Sequence, residues 1–102
     1  MSKDESVQRL QLIEQNVQAL NMQKQQFQGQ LFELDAALKE LETAPSAFKL
    51  IGGLLISVPK QTLQSDLKQR RDMFDVRLQT LDKQEAQLKE KAKKLQAEVL
   101  KE

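Results

Sequence analysis

The chain has 102 residues, of which Ala, Glu, Lys, Leu and Arg supply 50 and Gln another 16, with no Cys, His, Trp or Tyr. That composition belongs to coiled coils and long helices, and without Cys or His there is no disulfide framework, zinc site, thiol nucleophile or imidazole base. No apolar run approaches the roughly 18 residues of a membrane span, the first residues lack the apolar core of a signal peptide, and a net charge of +1 is too balanced for a protein that lives on phosphate contacts.

A single domain over residues 1–102 is expected, working in the cytoplasm without a cofactor. Its charge is unevenly divided: residues 1–44 are net −3 and residues 45–102 net +4. Halves of opposite sign attract if they run side by side.

Ser2-Lys3-Asp4-Glu5 has the form of a capping box, so the first helix is expected beside the N-terminus, over residues 2–44. From Leu10 the residues Ile13, Val17, Leu20, Lys24, Phe27, Leu31, Leu34, Leu38 and Leu41 follow at alternating gaps of 3 and 4, all apolar but Lys24. Sustained a and d spacing of this kind marks a coiled coil. Pro45 ends the helix.

The central segment, expected as a β-hairpin over residues 47–58, has a different texture. Phe48-Lys49-Leu50-Ile51 and Leu54-Leu55-Ile56-Ser57 are β-prone runs flanking Gly52-Gly53, a two-residue turn signal. The opposed pairs are then Ile51/Leu54, Leu50/Leu55, Lys49/Ile56 and Phe48/Ser57. Alternation puts Ile51, Leu54 and Ile56 on one face and Phe48, Leu50 and Leu55 on the other. A lone hairpin, apolar on both faces and with open edges, is marginal in water and invites pairing. It is expected to join a larger sheet made with other chains.

Pro59 suits a first helical turn, and residues 59–102 read as a second helix. Leu67, Arg71, Phe74, Leu78, Leu81, Glu85, Leu88, Ala92, Leu95 and Val99 again step by 4 and 3. Folding symmetrically about the two glycines pairs residue i with residue 105 − i, so that every a position meets a d position. Lys24, Arg71 and Glu85 interrupt this seam. They either snorkel out of it, or, for Lys24 and Glu85, pair diagonally and penalise slipped registers.

The carboxylates are scattered over helix faces without a cleft, and the glycines lack the Lys-Ser/Thr of a phosphate loop. No enzyme activity is expected. The basic cluster Lys89, Lys91, Lys93 and Lys94 is interleaved with Glu90 and Glu98 and has no aromatics for base stacking, so it reads as a solvated face; neither nucleic acid nor membrane is expected as a partner. Apolar residues outside the seam are more telling. Phe32 and Met73 lie near the hairpin, whereas Val7, Leu12 and Leu100 lie at the helix ends beside Leu10, Ile13, Leu95 and Val99. An apolar tip of that kind marks an interaction site.

At Phe48-Lys49-Leu50-Ile51-Gly52-Gly53-Leu54-Leu55-Ile56, and in the layout of two heptad helices flanking one hairpin, the chain resembles the β-type subunits of prefoldin. It departs from them at Phe48, where Tyr is common, and at Pro59, where an acidic helix start is common. The resemblance implies a mainly α fold: a long antiparallel helical-hairpin coiled coil with a central two-stranded hairpin that joins an oligomeric β-barrel. It implies partners as well, namely two α-type subunits with four β-type copies, unfolded polypeptide clients and a group II chaperonin, in an ATP-independent holdase. Client binding is then expected at Val7, Leu10, Leu12, Ile13, Leu95, Val99 and Leu100. Assembly is expected at Phe48, Leu50, Ile51, Gly52, Gly53, Leu54, Leu55 and Ile56. The competing reading is a coiled-coil scaffold or adaptor whose tips bind one folded partner.

Overall fold

The computed structural model describes residues 2–101. Its elements run α1 (Lys3–Thr43), β1 (Ala47–Ile51), β2 (Leu54–Val58) and α2 (Lys60–Lys101). The chain divides into two compact units. One holds residues 27–76 with the hairpin; the other holds the chain-terminal stretches up to residue 26 and from residue 77 onward.

α1 opens on Ser2, whose hydroxyl oxygen accepts a hydrogen bond from the Glu5 backbone N–H at 3.2 Å. This satisfies one of the donors a helix start leaves open. Pro59 stands one residue outside α2, and its carbonyl accepts the Leu63 N–H at 3.2 Å. A residue without an N–H loses nothing there, because that group would have no helical partner.

Along both helices the predicted a and d positions are the covered ones. Between Val7 and Ala36 the half-buried residues are Leu10, Ile13, Val17, Leu20, Lys24, Phe27, Leu31 and Leu34; from Leu67 to Leu100 the half-buried and buried residues are the ten predicted seam positions of α2. Most are half-buried rather than buried, which is what a seam with only two walls allows. Among the apolar seam residues coverage is tightest at Leu38, Leu41, Leu78 and Leu81, each burial being worth about 1.5–3 kcal/mol. Ser6, at 1% exposure, continues the d row one step before Leu10.

Contacts between the helices fall close to the expected register in each unit. Arg71, expected opposite Leu34, reaches Asp35 at 3.6 Å. Phe74 meets Phe27 with ring centroids 5.6 Å apart, a tilted pair one turn from its expected partner Leu31. In the chain-terminal unit Lys24, expected opposite Leu81, reaches Asp82 and Glu85.

β1 and β2 pair antiparallel in the predicted register, Ile51 with Leu54 through Phe48 with Ser57, extended by Ala47 with Val58. Gly52 and Gly53 have φ of 55° and 80°, the left-handed pair that a tight hairpin turn requires and that side chains resist.

Candidate functional site

The hairpin offers the larger apolar surface. Phe48, Leu50, Ile51, Leu54, Leu55 and Ile56 are all exposed, and among the described residues the sheet has two strands, each with one edge that no other strand covers. Its two faces differ in a way the alternation alone did not reveal. On the face carrying Ala47, Lys49, Ile51, Leu54, Ile56 and Val58, Ala47 is buried and Lys49 and Val58 are half-buried. Lys49 there reaches Asp66 of α2 at 3.7 Å. The opposite face, with Phe48, Leu50 and Leu55, is open throughout, and Leu50 and Leu55 keep 70% and 73% of their surface exposed. They sit directly across from one another.

The hairpin's position depends on a contact the sequence reading missed. The Lys60 ammonium donates to the carbonyl oxygens of Glu42 and Ala44, both at 3.1 Å. α1 has no basic residue in its own last turn, so the first residue of α2 supplies the cation that a helix C-terminus favours. One side chain thereby ties together the two ends of the segment that carries β1 and β2.

In the chain-terminal unit the seven residues expected to bind clients fall into two groups. Leu10, Ile13, Leu95 and Val99 are half-buried seam residues. Val7, Leu12 and Leu100 are exposed. A hollow of about 440 Å³ opens over Leu12, Ile13 and Leu95, and one of about 340 Å³ over Leu10, Val99 and Leu100. The structure therefore brings Leu12, Ile13 and Leu95 to one hollow and Leu10, Val99 and Leu100 to another, with Val7 lining neither.

Two of the polar breaks in the seam, Lys24 and Glu85, belong to one chain of ion pairs. Lys24 Nζ lies 2.6 Å from Asp82 Oδ1 and 3.3 Å from Glu85 Oε2, and Glu85 Oε1 lies 2.8 Å from Lys89. The hydrogen bond to Asp82 holds the Lys24 ammonium above its ordinary pKa, with Glu85 adding to it and burial opposing. Glu85 is held below its ordinary value, first by the hydrogen bond from Lys89 and then by Lys24. Among the described residues no acidic group is placed to hold a metal ion, and no helix is long and apolar enough to cross a membrane.

A family model described as "Prefoldin subunit" matches residues 4–102. The chain belongs to the prefoldin subunit family. It is 36% identical to prefoldin subunit beta of Caldivirga maquilingensis over 94 residues, covering 89% of this chain and 78% of that one. It is 39% identical to prefoldin subunit beta of Methanothrix thermoacetophila over 90 residues, covering 85% and 75% respectively. The crystal structure of the prefoldin beta subunit from Thermococcus strain KS-1 superposes with a TM-score of 0.90 at 32% identity, covering 95% of this chain and 88% of that one. Membership in a family of prefoldin subunits gives the chain a chaperone-type role and a place in a multi-subunit complex.

Proposed function

We propose that this prefoldin subunit is part of an ATP-independent holdase of the cytoplasm. In this reading its hairpin joins those of α-type subunits and further copies of itself in a shared β-barrel, two α with four β. The ends of its helices capture non-native polypeptide and pass it to a group II chaperonin. The observation that carries the reading is where the apolar surface lies. Six large hydrophobic side chains are exposed on the hairpin, and Val7, Leu12 and Leu100 are exposed at the helix ends, where Leu12 and Leu100 each line a hollow over seam residues.

Exposed apolar strands with open edges are an aggregation hazard unless partners cover them, which suits an obligate assembly. Shallow apolar hollows suit clients lacking a fixed shape. Each contact is weak, and several arms acting together give useful avidity.

The test is to purify the chain with and without an α-type subunit, determine native mass, and assay suppression of aggregation of an unrelated unfolded protein. A hexamer that suppresses aggregation is expected. Removing about ten residues from each end is expected to leave the oligomer intact and abolish suppression. A monomer or simple dimer without holdase activity would instead make the chain an adaptor for one folded partner, and suppression surviving the truncation would move client binding away from the helix ends.

A further inference from the structure

We infer that one flank of the helix pair in the chain-terminal unit selects unfolded segments in which acidic residues neighbour apolar ones. This rests on the client-binding reading above and adds to it a face, a repeat and a charge preference.

Two hollows lie in line along that flank. The terminal one, about 440 Å³, is floored by Leu12, Ile13 and Leu95; the next, about 360 Å³, is floored by Ala19, Leu20 and Leu88. Each floor residue of the second stands seven positions from its counterpart in the first, forward along α1 and backward along α2, so a single site repeats with the heptad. Seven residues of helix advance about 10 Å. Unfolded chains often adopt the polyproline II form, in which side chains three residues apart share a side at a spacing of about 9 Å. One extended segment therefore fills both hollows with two apolar side chains.

The rims of the two hollows differ. Arg9, Lys91 and Lys94 surround the terminal hollow against one carboxylate, Glu98. The second hollow has Lys91 as its only charge, the rest of its rim being amides such as Gln23, Gln84 and Gln87. The hollow on the other flank, lined by Leu10, Gln96, Val99 and Leu100, has no charge. The excess of cations thus belongs to one flank and one end of the groove. A carboxylate beside the leading apolar residue of a bound segment meets those cations, whereas a lysine or arginine there meets like charge. Such juxtaposition discriminates between partners more than it adds affinity.

The experiment uses the full chain, alone and with an α-type subunit, and three fluorescent peptides read by anisotropy at two salt concentrations. The first carries two leucines three residues apart flanked by aspartates. The second replaces the aspartates with lysines, and the third keeps the aspartates but replaces the leucines with serine. The first is expected to bind about tenfold tighter than either of the others, with the preference over the lysine peptide shrinking in high salt. In Lys91→Glu with Lys94→Glu the order of the first two is expected to reverse. Equal binding of the two leucine peptides overturns the charge preference and leaves the holdase reading standing. Equal binding of the first and third reduces the site to ion exchange and overturns the groove. A charge-reversed variant that keeps the original order places the selection elsewhere and overturns the assignment to this flank. Binding of none of the three overturns the inference together with the reading beneath it.

Discussion

Lys24 Nζ lies 2.6 Å from Asp82 Oδ1, so a charged residue placed in the apolar seam finds its main partner just outside it. Glu85 completes the arrangement from inside the seam at 3.3 Å. Sliding one helix by a heptad would separate Lys24 from Asp82 and Glu85 and set Glu85 opposite Ile13 or Phe27, without its partner. Polar residues at core positions fix register at a cost in stability. Replacing both, Lys24→Leu with Glu85→Leu, is therefore expected to raise the thermal midpoint while admitting a shifted register. Spin labels on the two helices would then report a second distance. A single distance with an unchanged or lower midpoint would remove the register role.

The same cluster sets a pH window. Glu85 is depressed below its ordinary 4.5, so the stability it contributes is present above that value and is lost as pH falls through its lower, folded value. Lys24 is raised above its ordinary 10.5, so its contribution is present below that value and is lost as pH rises through its higher, folded value. The cluster's contribution should be flat between these limits. Glu85→Gln is expected to reduce the acid-side loss relative to the parent, and Lys24→Met the alkaline-side loss. Parallel pH–stability curves for parent and variants would show that the cluster contributes nothing.

Lys60 makes a separable contribution. Its two bonds to the end of α1 combine a C-cap with a favourable charge, worth about 0.5–1 kcal/mol in a half-exposed setting. Lys60→Met keeps the aliphatic stem and removes the donor, and should lower the midpoint by a few degrees in a chain of this size. Lys60→Arg should recover most of the loss. An unchanged midpoint in the methionine variant would show the cap to be idle.

These contacts mark where sequence reasoning stops. The seam was legible because a and d spacing is a property of the chain itself, and Leu10 through Val99 are covered where the spacing puts them. The hairpin register was legible because Gly52-Gly53 supplies two left-handed residues and leaves one way to pair the strands. Lys60 was not, because its acceptors are backbone carbonyls 16 and 18 residues earlier and carbonyls carry no residue signature. Asp82 was missed because seam reasoning compares core positions and it sits just outside them. Ser6 was missed because an apolar template passes over a serine that nonetheless continues the d row. The unequal faces of the hairpin depend on which side turns toward α2, and alternation is blind to that.

The open face of the hairpin leads to a prediction about assembly. Leu50 and Leu55 face one another and are mostly exposed, so changing both to serine removes little that the single chain buries. Stability of the isolated chain should stay within about 0.5 kcal/mol of the parent. An assembled interface would lose about 1.5–3 kcal/mol for each leucine it buries, and mixtures with an α-type subunit should run at the mass of unassembled chains. Retained assembly would assign the interface to the edges or to the Ile51 and Ile56 face.

Exposure also separates client binding from folding at the helix ends. Leu12 and Leu100 keep 59% and 86% of their surface exposed and Val7 keeps 37%, whereas Ile13, Leu95 and Val99 support the seam. Leu12→Ser with Leu100→Ser should leave the thermal midpoint nearly unchanged, since surface substitutions of this kind fall within about 0.5 kcal/mol. The same variant should clearly weaken suppression of aggregation, because the apolar wall of each terminal hollow loses a residue. Leu95→Ala should lower both together, as a half-covered leucine costs about 1–2 kcal/mol when truncated. Full suppression by the double serine variant, at an unchanged midpoint, would show that the exposed side chains are bystanders and that clients are held by the seam residues alone.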